Sequence, residues 1–63
     1  MTELLRELQE QRRRYGNILH DAQRVTNFLV RSDKVELLRS CQELVRCTQV
    51  AIAALDKAIE LAA

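Results

Sequence analysis

The residues of this chain that could do chemistry are few: one histidine, two cysteines, and basic side chains interspersed with acidic ones. Cys41 and Cys47 are six residues apart, which on a helix corresponds to about 9 Å of rise and to different faces. Such a pair cannot form a disulfide within one straight helix. With His20 as the only histidine, the closely spaced ligand pairs of a zinc site are missing. The sequence therefore predicts two reduced thiols, no metal and no cofactor.

Catalytic arrangements are not visible in the sequence. No serine or cysteine nucleophile has the supporting histidine and acid motifs, and the only glycine, Gly16, cannot form a phosphate-binding loop alone. His20 falls on the polar side of its predicted helix, where an ordinary surface histidine is expected. We therefore expect a protein without enzymatic activity.

A line of basic side chains is the one pattern that suggests a nucleic-acid ligand. Four arginines, spaced seven or eleven residues apart, project within about 20° of one another on a helical wheel. With neighbouring amides and an exposed aromatic, they could hold phosphates and stack on a base. The residues of this hypothesis are Arg6, Arg13, Arg24, Asn27, Phe28 and Arg31. The alternative is a solvated surface, because Glu10 and Asp21 precede arginines at ion-pair spacing.

Size and composition restrict the class of protein. A chain of 63 residues forms one small domain that buries only about 60% of its unfolded surface, so it commonly needs oligomerisation or cross-links. The absence of proline and the net charge of +1 favour long helices and only weak attraction to polyanions. No secretion signal is visible, and the longest uncharged stretch, Cys47 to Leu55, is shorter than the roughly 20 residues of a membrane span. We expect a cytoplasmic location.

Two long helices are the elements that carry these residues. The first is predicted over about residues 3–31, and its apolar stripe has the spacing of an amphipathic helix. The stripe consists of Leu4, Leu5, Leu8, Tyr15, Ile18, Leu19, Ala22, Val25 and Leu29. It stays in phase across Gly16, which favours a continuous helix; the alternative is a helix that ends at Tyr15 with Gly16 as a left-handed cap.

The segment at residues 30–36 predicts the break between the helices. Asp33 with Glu36 fits a capping arrangement, and Ser32 is the competing cap. A second helix then covers about residues 34–62. Because the connection is short, the helices should be antiparallel neighbours. The predicted fold is a single all-α, coiled-coil-like hairpin over residues 1–63.

The second helix has more apolar surface than one neighbour can cover. A heptad pattern holds for about four heptads of this helix and is compatible with left-handed bundle packing: Leu38, Cys41, Val45, Thr48, Ile52, Leu55, Ile59 and Ala62. The whole apolar arc, however, widens to about 220° in its second half. The predicted partner-binding residues are Leu44, Cys47, Val50, Ala51, Ala54, Leu55, Ala58 and Leu61. The alternative is that the alanines only favour helix formation.

These features predict a non-enzymatic interaction module, a small chaperone or adaptor that binds an amphipathic helix of a partner or a second copy of itself. In length and hairpin form, the chain resembles the small co-chaperones of type III secretion needle subunits. It is also similar in form to the Rop-type hairpin dimers of plasmids, which implies the alternative of a homodimeric RNA-binding regulator. Both are resemblances of architecture, so no functional residue is carried over.

Overall fold

The computed structural model describes residues 2–63 and shows two antiparallel α-helices. Helix α1 covers Thr2–Leu29 and helix α2 covers Val35–Ala62, with 28 residues in each. The prediction of an all-α hairpin is confirmed. The predicted end of the first helix was two residues too late, because the chain tightens into a turn in which the Ser32 N–H donates to the Leu29 carbonyl at 2.9 Å.

The start of α2 differs from the predicted capping arrangement. Lys34 precedes the helix, and no side chain caps it. The Ser32 hydroxyl accepts the Lys34 N–H at 3.1 Å, and the backbone carbonyl of Asp33, not its carboxylate, accepts the Val35 N–H at 3.0 Å. The prediction of Asp33 as a side-chain cap is therefore wrong, because the connection is held by the Ser32 hydroxyl and by backbone hydrogen bonds.

Helix α1 continues through Gly16, as the in-phase stripe predicted. No residue from 2 to 63 has a positive φ, so the alternative of a left-handed cap is excluded. Gly16 is half-buried, and a Cβ added there would lie 3.1 Å from Nη1 of Arg12.

The core is a single seam between the two helices. All eight positions of the predicted heptad line on α2 are buried or half-buried. Thr48 is the most buried of the described residues at 4% exposure. Its hydroxyl donates to the Leu44 carbonyl at 2.7 Å, so this polar group has a hydrogen-bond partner within the seam. From α1, Ala22 and Leu29 are buried, and Leu5, Leu8, Leu19 and Thr26 are half-buried.

The hairpin is long and thin. Its Cα positions extend over 49 × 14 × 11 Å, with a radius of gyration of 14.5 Å. A compact chain of this length would have a radius of gyration of about 11 Å. No side chain among the described residues is fully buried. A large fraction of the apolar surface therefore remains accessible on the sides of the hairpin.

Candidate interaction surface

One side of the hairpin is polar. A shallow groove between the helices is lined there by Gln23, Thr26, Asn27, Gln42 and Val45. On the same side, Nε of Arg12 donates to Oδ1 of Asp56 at 2.8 Å and joins the two helices. Gln23 follows Arg12 by three helical turns, so both project in the same direction. This side therefore presents amides and an ion pair to water, together with the exposed Val30 and Val35 at the connection end.

The opposite side is apolar. Its groove is lined by Ile18, Asp21, Ala22, Val25, Cys41 and Leu44. Residues at helical repeats of these positions extend the apolar surface along both helices. We call the result the open apolar face, and its exposed or half-buried members are Leu4, Tyr15, Ile18 and Val25 of α1 with Leu37, Leu44, Ala51 and Ala58 of α2.

The apolar surface continues around α2 beyond the open apolar face. We call this continuation the outer flank of α2, and it consists of Cys47, Val50, Ala54 and Leu61. All four are exposed, Val50 at 60% and Leu61 at 74%. Of the other predicted partner-binding residues, Leu44, Ala51 and Ala58 lie on the open apolar face. Leu55 is half-buried on the heptad line that packs against α1.

The contribution of α1 to the open apolar face was missed in the sequence. The predicted stripe was treated as one line, but the structure divides it into a buried line and an exposed line. Leu5 and Leu19 face α2, whereas Leu4 and Ile18 are exposed beside them. A signal was present, because adjacent residues point about 100° apart on a helix and cannot both face one neighbour.

Two of the four arginines of the nucleic-acid hypothesis form ion pairs with neighbouring carboxylates. Arg13 Nη2 lies 2.5 Å from Glu10 Oε1, and Arg24 Nη2 lies 3.5 Å from Asp21 Oδ1. Arg14 adds a second contact to Glu10 at 3.2 Å. The hydrogen bond from Arg13 lowers the pKa of Glu10, and the same bond raises the pKa of Arg13. This pattern is typical of a solvated helix surface.

The remaining residues of that hypothesis do not form a cluster with the paired arginines. Arg6 and Arg31 are exposed near opposite ends of the hairpin, and Asn27 lines the polar groove. Phe28 is 85% exposed, so its predicted exposure is confirmed. It follows Val25 by one turn of α1 and extends the apolar surface toward the connection between the helices.

A polar cluster borders the outer flank of α2. Arg46 forms an ion pair with Glu43 and donates from Nε to Oε2 of Glu43 at 3.1 Å. The Cys47 thiol donates to Oε1 of Glu43 at 3.4 Å. The bonds from Arg46 and then from Cys47 lower the pKa of Glu43. Cys41 and Cys47 are both free thiols, and residues 2–63 contain no group of three side chains arranged to hold a metal ion.

Comparison with known proteins gives no relative for this chain: no family model matches it, and neither a curated protein nor a solved structure shows significant similarity. Neither α1 nor α2 combines the length and the apolar character that crossing a bilayer requires.

Proposed function

We propose that the chain is a non-enzymatic protein–protein interaction module that binds helices on its open apolar face and the outer flank of α2. The observation that carries the proposal is the exposure of apolar side chains, most of which lie on one side of the hairpin; Val30 and Val35, near the connection, are exposed outside this surface. The accessible surface of the hairpin is 5036 Å², whereas a compact monomer of this mass exposes about 4,200 Å². Contiguous apolar surface of several hundred Å² commonly marks an interaction site.

The shape of the surface favours a helical partner. The apolar groove runs along the hairpin between two rows of aliphatic side chains, with Ile18 and Val25 on one wall and Leu44 on the other. An amphipathic helix places apolar side chains in such a groove at spacings of three and four residues. Toward a different protein, the chain would act as a small chaperone or adaptor that covers such a helix. Its free thiols suit a reducing compartment, so we place this role in the cytoplasm.

The nucleic-acid alternative has less support from the arrangement of charges. Arg13 and Arg24 already contact carboxylates on their own helix, and the net charge is only +1. A phosphate would have to compete with Glu10 and Asp21 for these guanidinium groups. Affinity for nucleic acids depends on unpaired basic groups that release counterions, and this surface offers few of them.

A photo-crosslinking residue in place of Leu44 tests the proposed function. Leu44 is 48% exposed beside the apolar groove, so the substitution should leave the hairpin folded. In the source cell, irradiation should link the chain to another protein molecule, detected as a band of higher mass on a denaturing gel. The matched control is the same residue in place of Arg39, which is exposed about 140° around α2.

The two positions should give different results if the face is an interaction surface. Cross-linking from position 44 and none from position 39 supports the proposal. Equal cross-linking from both positions, or none from position 44 in cells that contain the folded chain, would show that the open apolar face is not a binding surface.

A further inference from the structure

We propose that the occupant of the open apolar face is a second copy of this chain, placed antiparallel so that a four-helix bundle forms. This inference rests on the proposed function and names the partner. Three features of the surface support it: the distribution of large and small residues along α2, the width of the apolar arc, and the accessible area of the hairpin.

The apolar surface of α2 is bulky near the connection and small toward the other end. Leu37 and Leu44 lie in the first half of the helix, and Ala51, Ala54 and Ala58 lie in the second half. A twofold axis perpendicular to the hairpin places the first half of one α2 against the second half of the other. Leu44 then faces small side chains, which allows close packing without cavities, whereas Leu61 of the outer flank lies opposite a large one. A copy in the parallel direction would stack leucines on leucines and alanines on alanines.

Six of the eight α2 positions on this surface fit a defined antiparallel register, whereas Ala58 and Val50 would be related to Ser40 and Thr48. Positions 37, 44, 47, 51, 54 and 61 of α2 are symmetric about position 49, close to the middle of the helix. A twofold axis at this point places Leu44 of one copy opposite Ala54 of the other. The same axis pairs Cys47 with Ala51 and, at the ends, Leu37 with Leu61.

The width of the apolar arc favours an occupant with two helices. A single helix in the groove would contact Ile18 and Leu44 and would leave the outer flank of α2 in water. In a four-helix bundle each helix has two neighbours at roughly right angles around it. For α2 these neighbours are α1 on one side and the second α2 on the other. The second contact covers Cys47 and Ala54 together with the members of the open apolar face.

The accessible area and the charge of the chain are consistent with self-association. The hairpin exposes roughly 850 Å² more total surface, polar and apolar together, than a compact monomer of its mass, as its elongated shape requires. A standard interface removes about 800 Å² from each partner. The net charge of +1 creates little repulsion between two copies, because a charge near zero favours association.

Sedimentation equilibrium of the purified chain is the first test. We expect a mass of twice 7.3 kDa at high micromolar concentration. Ala54→Asp should weaken the dimer about 100-fold or more, because the carboxylate would be buried without a partner. The matched control is Ala53→Asp. Ala53 is also exposed, but it points about 100° away from Ala54, toward the polar side of α2.

Cross-linking between copies tests the orientation and does not depend on the stability of the Asp variants. In a Cys41→Ala background, Ala51→Cys should form a disulfide-linked dimer through Cys47 on mild oxidation. Without Ala51→Cys, the same background should form far less linked dimer, because the two Cys47 residues would be offset by about 6 Å along the axis in addition to the separation of the helices, which puts their Cα atoms at or beyond the limit for a disulfide. A dimer linked through Cys47 alone would indicate a parallel arrangement and overturn the proposal.

The outcomes separate this inference from the proposed function. A monomeric purified chain, or a dimer that responds equally to Ala53→Asp and Ala54→Asp, overturns the second copy as occupant. If such a chain still cross-links from position 44 to a protein of different mass in the cell, the interaction module stands and its partner is another protein. A monomer without any cross-link from position 44 contradicts both.

Discussion

Replacing Gly16 by alanine tests the continuity of α1 and the contact between α1 and α2 at the same position. Within a continuous helix, this change reduces the flexibility of the unfolded chain and adds about 0.5–1 kcal/mol of stability. The new Cβ would lie 3.1 Å from Nη1 of Arg12, which is closer than ordinary van der Waals contact. Arg12 must therefore move by a few tenths of an ångström, while its Nε is bonded to Asp56 at 2.8 Å.

The size of the net effect follows from the exposure of this ion pair. Both Arg12 and Asp56 are substantially accessible, and surface ion pairs contribute about 0.2–1 kcal/mol. Because only the end of a flexible side chain has to shift, only part of the ion pair's contribution to stability should be lost. We expect Gly16→Ala to stabilise the chain by about 0.5 kcal/mol. In an Arg12→Ala background the obstacle is absent, and the gain should rise toward 1 kcal/mol.

Urea unfolding, followed by circular dichroism at one fixed protein concentration, measures this double-mutant cycle. The four proteins are the natural chain, each single variant and the double variant; their free energies of unfolding give the coupling between positions 12 and 16. Equal gains in both backgrounds would show that the Arg12 contact is unimportant. Destabilisation by Gly16→Ala in both backgrounds would refute a continuous helix through this position.

Three further predictions concern individual polar contacts. Thr48→Val should change the free energy of unfolding by less than about 1 kcal/mol, because valine fills nearly the same space and the Leu44 carbonyl keeps its helical hydrogen bond. Thr48→Ala should lower the free energy of unfolding more. If urea unfolding shows a larger loss for valine than for alanine, position 48 does not lie in the seam. Asp56→Asn should lower stability by less than about 1 kcal/mol, and the difference from the natural chain should largely disappear at about 1 M salt; a loss that is independent of salt would disprove an ionic contribution. The pKa of Glu43 should lie below the ordinary value of 4.5, because Arg46 stabilises its carboxylate. The contact therefore stabilises the folded chain above pH 4.5, and this stabilisation is lost as the pH falls through the lowered pKa. Carbon NMR titration checks this value, Arg46→Gln should bring it back toward 4.5, and a midpoint at or above 4.5 in the natural chain would count against the contact.

The sequence was sufficient to predict the two helices, their antiparallel arrangement and a heptad line on α2; that this line faces α1 is a finding of the structure. These features depend on local spacing, and the heptad line from Leu38 to Ala62 is buried or half-buried along its whole length. The cap of α2 was not predictable in the same way. Asp33 and Ser32 are both good capping residues, and only the backbone path of the connection determines that Ser32 accepts a hydrogen bond while the Asp33 carboxylate does not.

The candidate surface was only half predictable, for a geometric reason. Helical periodicity shows which residues of one helix share a direction, but it does not give the direction of the neighbouring helix. Ile18 and Leu19 belong to the same apolar stripe, yet Leu19 is half-buried and Ile18 is exposed. Once α2 is in place, Ile18, Val25 and Leu44 meet around one groove. The surface is therefore a property of the pair of helices, and it required the structure.

The thinness of the seam connects the stability of the hairpin with its proposed association. Apart from Leu29 and Ile52, the large apolar side chains of the seam are only half-buried, and the other buried positions among residues 2–63 are the small or polar Ala22 and Thr48. Burial of apolar area is the main favourable term in folding, and a two-helix seam provides little of it. A second copy on the open apolar face would cover Ile18, Val25 and Leu44 and would make the seam part of the core of a four-helix bundle. A partner that binds only the folded state stabilises that state by mass action. Folding and association of this chain should therefore be coupled, and the open apolar face should both bind the second copy and complete the hydrophobic core.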